Sequence, residues 1–286
     1  MTYTHLISAD ELKSLQAGGA PLMVFDVSSE LGHPAKADEM FAARRIAGST
    51  QAHLERDLSA HDALDAVNGG RHPLPKRELF AQTLQALGLD NAMQVVVYDR
   101  NGGNYCGRLW WMLKWVGHDA VAVLDGGLQA WEAAGGAIES GPAQPRPRGD
   151  FALKAPLRRL VLAGDVMQHL NSTTHTLIDA RGAPRYRGDT EPLDPIAGHI
   201  PGALNRPFTD NFAPDGRFKP AAQLKAEFDA LLGTRAPDAL VAYCGSGVSA
   251  VPNVLALELA GYPPPALYAG SWSEWSRTPD LPVERG

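Results

Sequence analysis

A chain of 286 residues has room for two domains of about 100–150 residues each, or for one large one. With 44% apolar and 20% charged residues it reads as a globular protein with a real core, which excludes a disordered or fibrous chain. A formal net charge of -6 argues against nucleic acid or an anionic membrane as partner, and no apolar run approaches bilayer length.

The opening stretch, MTYTHLISADELKSLQ, has no basic segment followed by an apolar one, so no secretory signal is read and a cytoplasmic location is expected. Ser8 followed by Glu11 is a capping-box pattern and predicts a helix over 8–18. PLMVFDV at 21–27 reads as a buried strand ending in Asp26, and AARRIAGS at 42–49 turns at Gly48. KRELFAQTLQALG has helical apolar spacing and ends in Gly88. QVVVYD at 94–99 is a second buried strand, ending in Asp99. VAVLDGGLQAW at 121–131 is a third, followed by a Gly-Gly turn and Trp131.

ESGPAQPRPRGD, 139–150, is rich in Pro and Gly and carries no period, which marks an extended linker. The order of features then recurs. HTLIDAR at 175–181 ends in Asp179 before its arginine, GHIPGA at 198–203 parallels RIAGS, and PAAQLKAEFDALLG is again a helix closed by Gly. DALVAYC at 238–244 parallels QVVVYD, and ALYAGSWSEW at 266–275 parallels VLDGGLQAW. Tyr98 to Trp131 spans 33 positions and Tyr243 to Trp275 spans 32, so an internal duplication is read. Short continuous strands between helices predict mostly parallel sheets flanked by helices. The expected architecture is α/β with two tandem domains, 1–140 and 156–286, joined by a linker over 141–155.

The chain has two cysteines, Cys106 and Cys244, far apart and outside any CxxC pair. That spacing gives neither a disulfide framework nor a zinc site, and no metal is expected. Cys244 ends an apolar strand, where α/β sheets gather ligands. Gly245, Ser246, Gly247, Val248 and Ser249 follow, ahead of a helix expected from about Ser249. Such a turn can collect backbone N–H groups around an anion and favour a thiolate. A tyrosine-phosphatase loop would need an arginine at position 250, which is Ala250, and a Walker loop would need a lysine. The matching strand of the first half ends at Asp99, so one half keeps a thiol where the other has a carboxylate. Cys106 reads as core filler.

These residues resemble a known family. CGSGVS at 244–249 resembles the CGSGVT loop of the 3-mercaptopyruvate branch of the tandem-domain rhodanese superfamily. DARxxxRYRG at 179–188, GHIPGA at 198–203, GSWSEW at 270–275 and RLWWMLKWVGH at 108–118 extend the resemblance over nearly the whole chain. The resemblance implies a sulfurtransferase in which Cys244 takes sulfur from a small anionic donor as a persulfide. Cyanide or a thiol acceptor such as thioredoxin or glutathione would then remove it, with no cofactor. It implies that Arg185 binds the donor's anionic group and that backbone N–H groups of 245–249 hold the persulfide. It also implies a proton relay of Ser246, His72 and Glu55, the last where the branch has an aspartate. That branch carries a second arginine just past its Glu-Pro pair, whereas this chain has Leu193 and Asp194 there. The loop favours 3-mercaptopyruvate and the absent arginine leaves thiosulfate as the alternative. A non-enzymatic sulfur-relay or binding module is the competing class.

Overall fold

The computed structural model describes residues 2–170, 172 and 175–286. The chain forms two compact units. The first gathers the residues up to Ala60, Pro75–Leu157 and Pro214–Arg217. The second gathers His61–Leu74, Arg158–Ala213 and Phe218–Gly286. Among the described residues no helix is long and apolar enough to cross a membrane.

In the first unit the chain runs β1 (Leu6–Ile7), α1 (Ala9–Ala17), β2 (Leu22–Asp26), α2 (Ala35–Ala43), β3 (Arg45–Ile46) and β4 (Thr50–Gln51). It continues through α3 (Arg77–Ala86), β5 (Gln94–Tyr98), α4 (Cys106–Trp115), β6 (Val121–Leu124), α5 (Gly127–Ala133) and β7 (Ile138–Glu139). The expected capping box is present: the Ser8 N–H donates to Glu11 Oε2 at 2.8 Å and the Glu11 N–H to Ser8 Oγ at 3.3 Å. The second unit runs β8 (Leu160–Val161), α6 (Ala163–Gln168), β9 (Thr176–Asp179), α7 (Ala183–Arg187) and β10 (Leu204–Asn205). It closes with α8 (Ala221–Leu232), β11 (Leu240–Tyr243), α9 (Val251–Leu259), β12 (Ala266–Tyr268) and α10 (Ser271–Trp275).

Each unit is built on a five-stranded sheet, ordered β1-β6-β5-β2-β4 in the first and β10-β9-β11-β12-β8 in the second. All neighbours in both sheets are parallel. Read from opposite edges the two orders are the same, which is the duplication expressed as topology. The central strands are apolar along their length because helices cover both faces. Val24, Val96, Ala122 and Trp131 lie in one core cluster, and Val241, Ala266, Trp272 and Trp275 in the other. Tyr98 and Tyr243 end their strands buried, and each hydroxyl accepts a backbone N–H from the paired turn: Ile46 at 3.0 Å, Ile200 at 3.2 Å. Parallel strands all end on one side, so the residues just past β5 and β11 reach the mouth of their own sheets.

Two segments fold otherwise than a division at the linker suggests. The stretch after β7 has no regular structure, yet it is strapped to the first unit. Gly149 donates to the carbonyl of Gln85 at 2.8 Å, Phe151 to Leu89 at 3.1 Å and Lys154 to Val116 at 3.1 Å. A Cβ on Gly149 would sit 2.2 Å from the Leu89 oxygen, so only glycine allows this approach. Phe151 is buried beside His118. The second segment is His61–Leu74, which precedes the linker in sequence but packs into the second unit.

Phe151→Ala should therefore lower the unfolding free energy of the first unit by about 3 kcal/mol, the usual cost of emptying a buried phenylalanine site. Urea unfolding followed by tryptophan fluorescence measures it. An unchanged midpoint would mean that this segment contributes no core.

Candidate functional site

Cys244 follows β11 directly, at the carboxyl end of the central strand of the second sheet. Its carbonyl accepts the Trp272 N–H at 2.9 Å, and the Gly245 carbonyl accepts the Ser273 N–H at 2.8 Å. The first residues of α10 thus clasp the start of the loop. Gly247 is held at φ 72°, and a Cβ there would lie 2.3 Å from the Ala269 oxygen. Only glycine satisfies both the backbone angle and that approach. Val248 is buried, Ser249 is half-buried, and α9 begins at Val251 with Pro252 in its first turn, where proline costs little.

The first unit has the same scaffold with a different residue at its end. Leu128 donates its N–H to the Asp99 carbonyl at 3.1 Å, as Trp272 does to Cys244. The helices α4 and α9 each start seven residues after Asp99 and Cys244. The Asp99 carboxylate fills the turn that it opens. Its Oδ1 accepts the N–H groups of Asn101 and Gly103, both at 2.9 Å, and its Oδ2 those of Tyr105 at 2.8 Å and Cys106 at 2.9 Å. An anion of the chain itself occupies this turn. A cysteine, with one weakly accepting atom, cannot do the same. Cys106 opens α4 and is buried; burial, and then the neighbouring Asp99 charge, push its thiol pKa well above the ordinary value. That keeps it a protonated, inert filler, as the sequence suggests.

Around Cys244 the second unit assembles groups from distant parts of the sequence. His72 Nδ1 lies 2.8 Å from Ser246 Oγ, and both residues are buried. The His72 segment is anchored by its own backbone: the Gly69 N–H donates to Glu274 Oε1 at 2.7 Å and the Arg71 N–H to Ser273 Oγ at 2.9 Å. Gly70 sits at φ 94°, where a Cβ would lie 2.7 Å from the Gly270 oxygen. Arg185 projects from α7, with Nη2 at 2.6 Å from Glu191 and 3.4 Å from Asp194. Its Nη1 would be 3.5 Å from a Cβ on Gly245, so the guanidinium overlies the residue beside Cys244. Arg187 instead pairs with Asp189 at the surface, at 2.6 Å. Glu55 belongs to the first unit, where its N–H donates to His53 Nδ1 at 3.2 Å. The cysteine itself is 1% exposed, at the floor of this assembly.

Asp194, where the sequence raises the prospect of repelling an anion, is neutralised. Its fully buried carboxylate contacts Arg71 at 2.9 Å, Arg277 at 2.7 Å and Arg185 at 3.4 Å. Arg181 pairs with Asp179 at 2.7 Å and Glu191 at 3.2 Å. Arg71, Arg181, Arg185 and Arg277 thus bring four guanidinium groups to these carboxylates, while Glu274 accepts the nearby Gly69 N–H at 2.7 Å. Trp272 donates its indole N–H to the Ile196 carbonyl at 2.9 Å, and Trp275 donates its own to Pro282 at 2.8 Å. Both rings serve the core.

Ser271 is the residue that sequence reasoning misses. It is fully buried at φ 54°, and its Oγ accepts the Cys244 N–H at 3.1 Å while donating to the Tyr268 carbonyl at 2.9 Å. The matching residue of the first unit, Gly127, holds nearly the same angle, φ 57°, without a side chain. A serine in this left-handed region carries about 1 kcal/mol of strain, and here it holds the Cys244 backbone in place. The signal was available: Gly-Ser stands in the second half where Gly-Gly stands in the first.

Two outcomes follow. Ser271→Ala should be less stable than Ser271→Gly by about 1 kcal/mol, since both lose the hydroxyl and only alanine keeps the strained angle; equal melting of the two variants would refute the strain. Asp99→Asn sets an amide NH2 against two backbone N–H groups in a buried turn and should destabilise the first unit by about 3 kcal/mol in urea unfolding. Wild-type stability would mean that the carboxylate is not what fills the turn.

Comparison with known proteins agrees with this architecture. The family model described as Rhodanese-like domain matches twice, at residues 8–134 and 162–278. A Pseudomonas aeruginosa protein named "Probable 3-mercaptopyruvate sulfurtransferase" is 46% identical over 100% of both chains. Thiosulfate sulfurtransferase from Cricetulus griseus is 34% identical, covering 99% of this chain and 96% of its own. The crystal structure of SseA from Escherichia coli, from work on 3-mercaptopyruvate sulfotransferases, superposes with a TM-score of 0.79 at 30% identity, over 95% of this chain and 100% of that one. With two matched domains and full-length relatives, the chain belongs to the rhodanese family.

Proposed function

We propose that this protein is a sulfurtransferase that takes sulfur from 3-mercaptopyruvate onto Cys244 and passes it to cyanide or a small thiol. The observation that carries the reading is Cys244 itself: a lone cysteine at the mouth of the sheet, beside a cluster of arginines. The duplicate position is closed by the chain's own carboxylate. The relatives' names point to the same chemistry, and the second unit, Arg158–Ala213 and Phe218–Gly286 with the segment His61–Leu74, is the catalytic copy. The first unit is the supporting one.

In the first step the Cys244 thiolate attacks the thiol sulfur of the donor. The new S–S bond forms as the donor's C–S bond breaks, and that electron pair goes to carbon as the enolate of pyruvate. One proton added to that carbon releases pyruvate and leaves the Cys244 persulfide. Arg185 holds the donor's carboxylate by a charge-assisted contact. Ser246 and His72, hydrogen-bonded to one another, hand over the proton, with Glu55 as the acid of the relay. Backbone N–H groups of 245–249 stabilise the persulfide anion. In the second step the acceptor attacks the outer sulfur and Cys244 leaves as thiolate, a ping-pong sequence. Thiosulfate is the second reading. A sulfonate suits the same arginine cluster, and a thiosulfate sulfurtransferase stands among the relatives.

The test is kcat/KM for 3-mercaptopyruvate and for thiosulfate with cyanide as acceptor, beside Cys244→Ser. A hundredfold preference for 3-mercaptopyruvate, about 2.7 kcal/mol of transition-state binding, is expected. Donor without acceptor should add the mass of one sulfur to the wild type and none to Cys244→Ser. Iodoacetamide should modify Cys244 and spare Cys106, and donor should protect. A preference for thiosulfate would establish the second reading. No turnover and an unreactive Cys244 would leave a binding module.

A further inference from the structure

We infer that Arg71 supplies the second half of the donor-carboxylate clamp, opposite Arg185, in place of an arginine at position 193. The inference rests on the reading of the donor as an α-keto acid. Arg71 stands immediately before His72, in the segment that the second unit takes from the first half of the sequence.

Four observations carry it. First, the two guanidinium groups converge on one point. A Cβ built on Gly245 would meet Arg71 Nη2 at 3.3 Å and Arg185 Nη1 at 3.5 Å, so both overlie the residue next to the nucleophile. Second, Arg71 has unused donor capacity. Its Nε is buried with no hydrogen-bond partner, and its Nη2 makes only a long contact, 3.4 Å, to Asp194. An unpaired buried donor is costly unless a ligand completes it. Third, the position is fixed in advance. The Arg71 N–H is held by Ser273 at 2.9 Å and its Nη1 by Asp194 at 2.9 Å, and the preceding Gly70 packs so closely that a Cβ there would lie 2.7 Å from the Gly270 oxygen. Fourth, the Asp194 carboxylate that pairs with Arg71 also contacts Arg185 and Arg277, so it compensates the Arg71 charge only in part. A planar carboxylate bridging two guanidinium groups suits this geometry, since each can offer it a charge-assisted N–H.

The rival account is that Arg71 only holds Asp194. Binding distinguishes the two in the unreactive Cys244→Ser protein, by titration calorimetry. The probes are 3-mercaptopyruvate and mercaptoacetone, which has the same ketone and thiol without the carboxylate. Arg71→Leu should weaken 3-mercaptopyruvate on the order of tenfold and leave mercaptoacetone within about twofold. Arg71→Lys should recover part of the loss. Arg277→Leu, which also removes a partner of Asp194, should not change the ratio of the two affinities. Equal weakening of both probes by Arg71→Leu, or no weakening of either, overturns the clamp, as does the absence of any 3-mercaptopyruvate binding to Cys244→Ser. A clear contrast in binding without turnover by the wild type would sink the sulfurtransferase reading and leave the clamp standing. Turnover with no contrast would do the reverse.

Discussion

The backbone hydrogen bond from the start of α10 to the end of β11 is the constraint on which the site depends. Trp272 donates to the Cys244 carbonyl at 2.9 Å, while Ser271 accepts the Cys244 N–H at 3.1 Å. The N–H and the carbonyl of Cys244 are thereby both held by neighbouring residues of one helix. The first unit uses the same bond, Leu128 to Asp99 at 3.1 Å, for a position with no thiol. The scaffold is common to both halves, and the residue standing on it decides what the turn can do. An aspartate reaches four N–H groups and closes the turn. A cysteine has too few acceptor sites to close its turn in this way.

An acidic residue in an anion site looks self-defeating until its partners are counted. Three arginines packed together would repel one another and, with no counter-ion, swing into solvent. Asp194, buried among Arg71, Arg185 and Arg277, holds them in register. Its charge is spent on three cations at once, so it lowers the positive field without reversing it. Glu191 does the same between Arg181 and Arg185, at 3.2 Å and 2.6 Å. The carboxylates act as positioning residues: they trade some field strength for geometry, which a bidentate ligand needs more.

Much of this was legible in the sequence, and the rest was hidden for definable reasons. Apolar runs ending in Asp26, Asp99, Asp179 and Cys244 marked the central strands, because a strand covered on both faces must be apolar throughout. The nearly equal spacing of Tyr98–Trp131 and Tyr243–Trp275 exposed the duplication, and the shared sheet order bears it out. The pairing of Ser246 with His72 was reached through family resemblance, and the structure places them 2.8 Å apart. Arg71 and Asp194 could not be matched in the same way. They meet across more than a hundred residues, and no local pattern encodes which charge will be buried against which. The angle of Ser271 was invisible too, because a positive φ at a non-glycine is set by surrounding structure and not by the residue's own preference. The strap at Gly149 and Phe151 carries only the signal of an extended linker, because proline and glycine give that signal whether a segment hangs in solvent or packs against its domain.

The segment His61–Leu74 bears on how such a duplicated chain divides its labour. A tandem repeat invites the view that each half encodes its own site. Here the second unit's own half, from the linker onward, contains Cys244, Ser246 and Arg185 but not His72 or Arg71. Those two come from before the linker, held by Gly69 to Glu274 and Arg71 to Ser273. Glu274 and Ser273 lie on α10, the same short helix whose Ser271 and Trp272 hold Cys244. One five-residue helix therefore holds both Cys244 and the segment that carries Arg71 and His72. This arrangement accounts for keeping a copy whose own turn is closed by Asp99: the first half of the chain still has to deliver two side chains that the second half cannot replace. A fragment beginning after the linker would keep the thiol, Ser246 and Arg185 and lose His72 and Arg71.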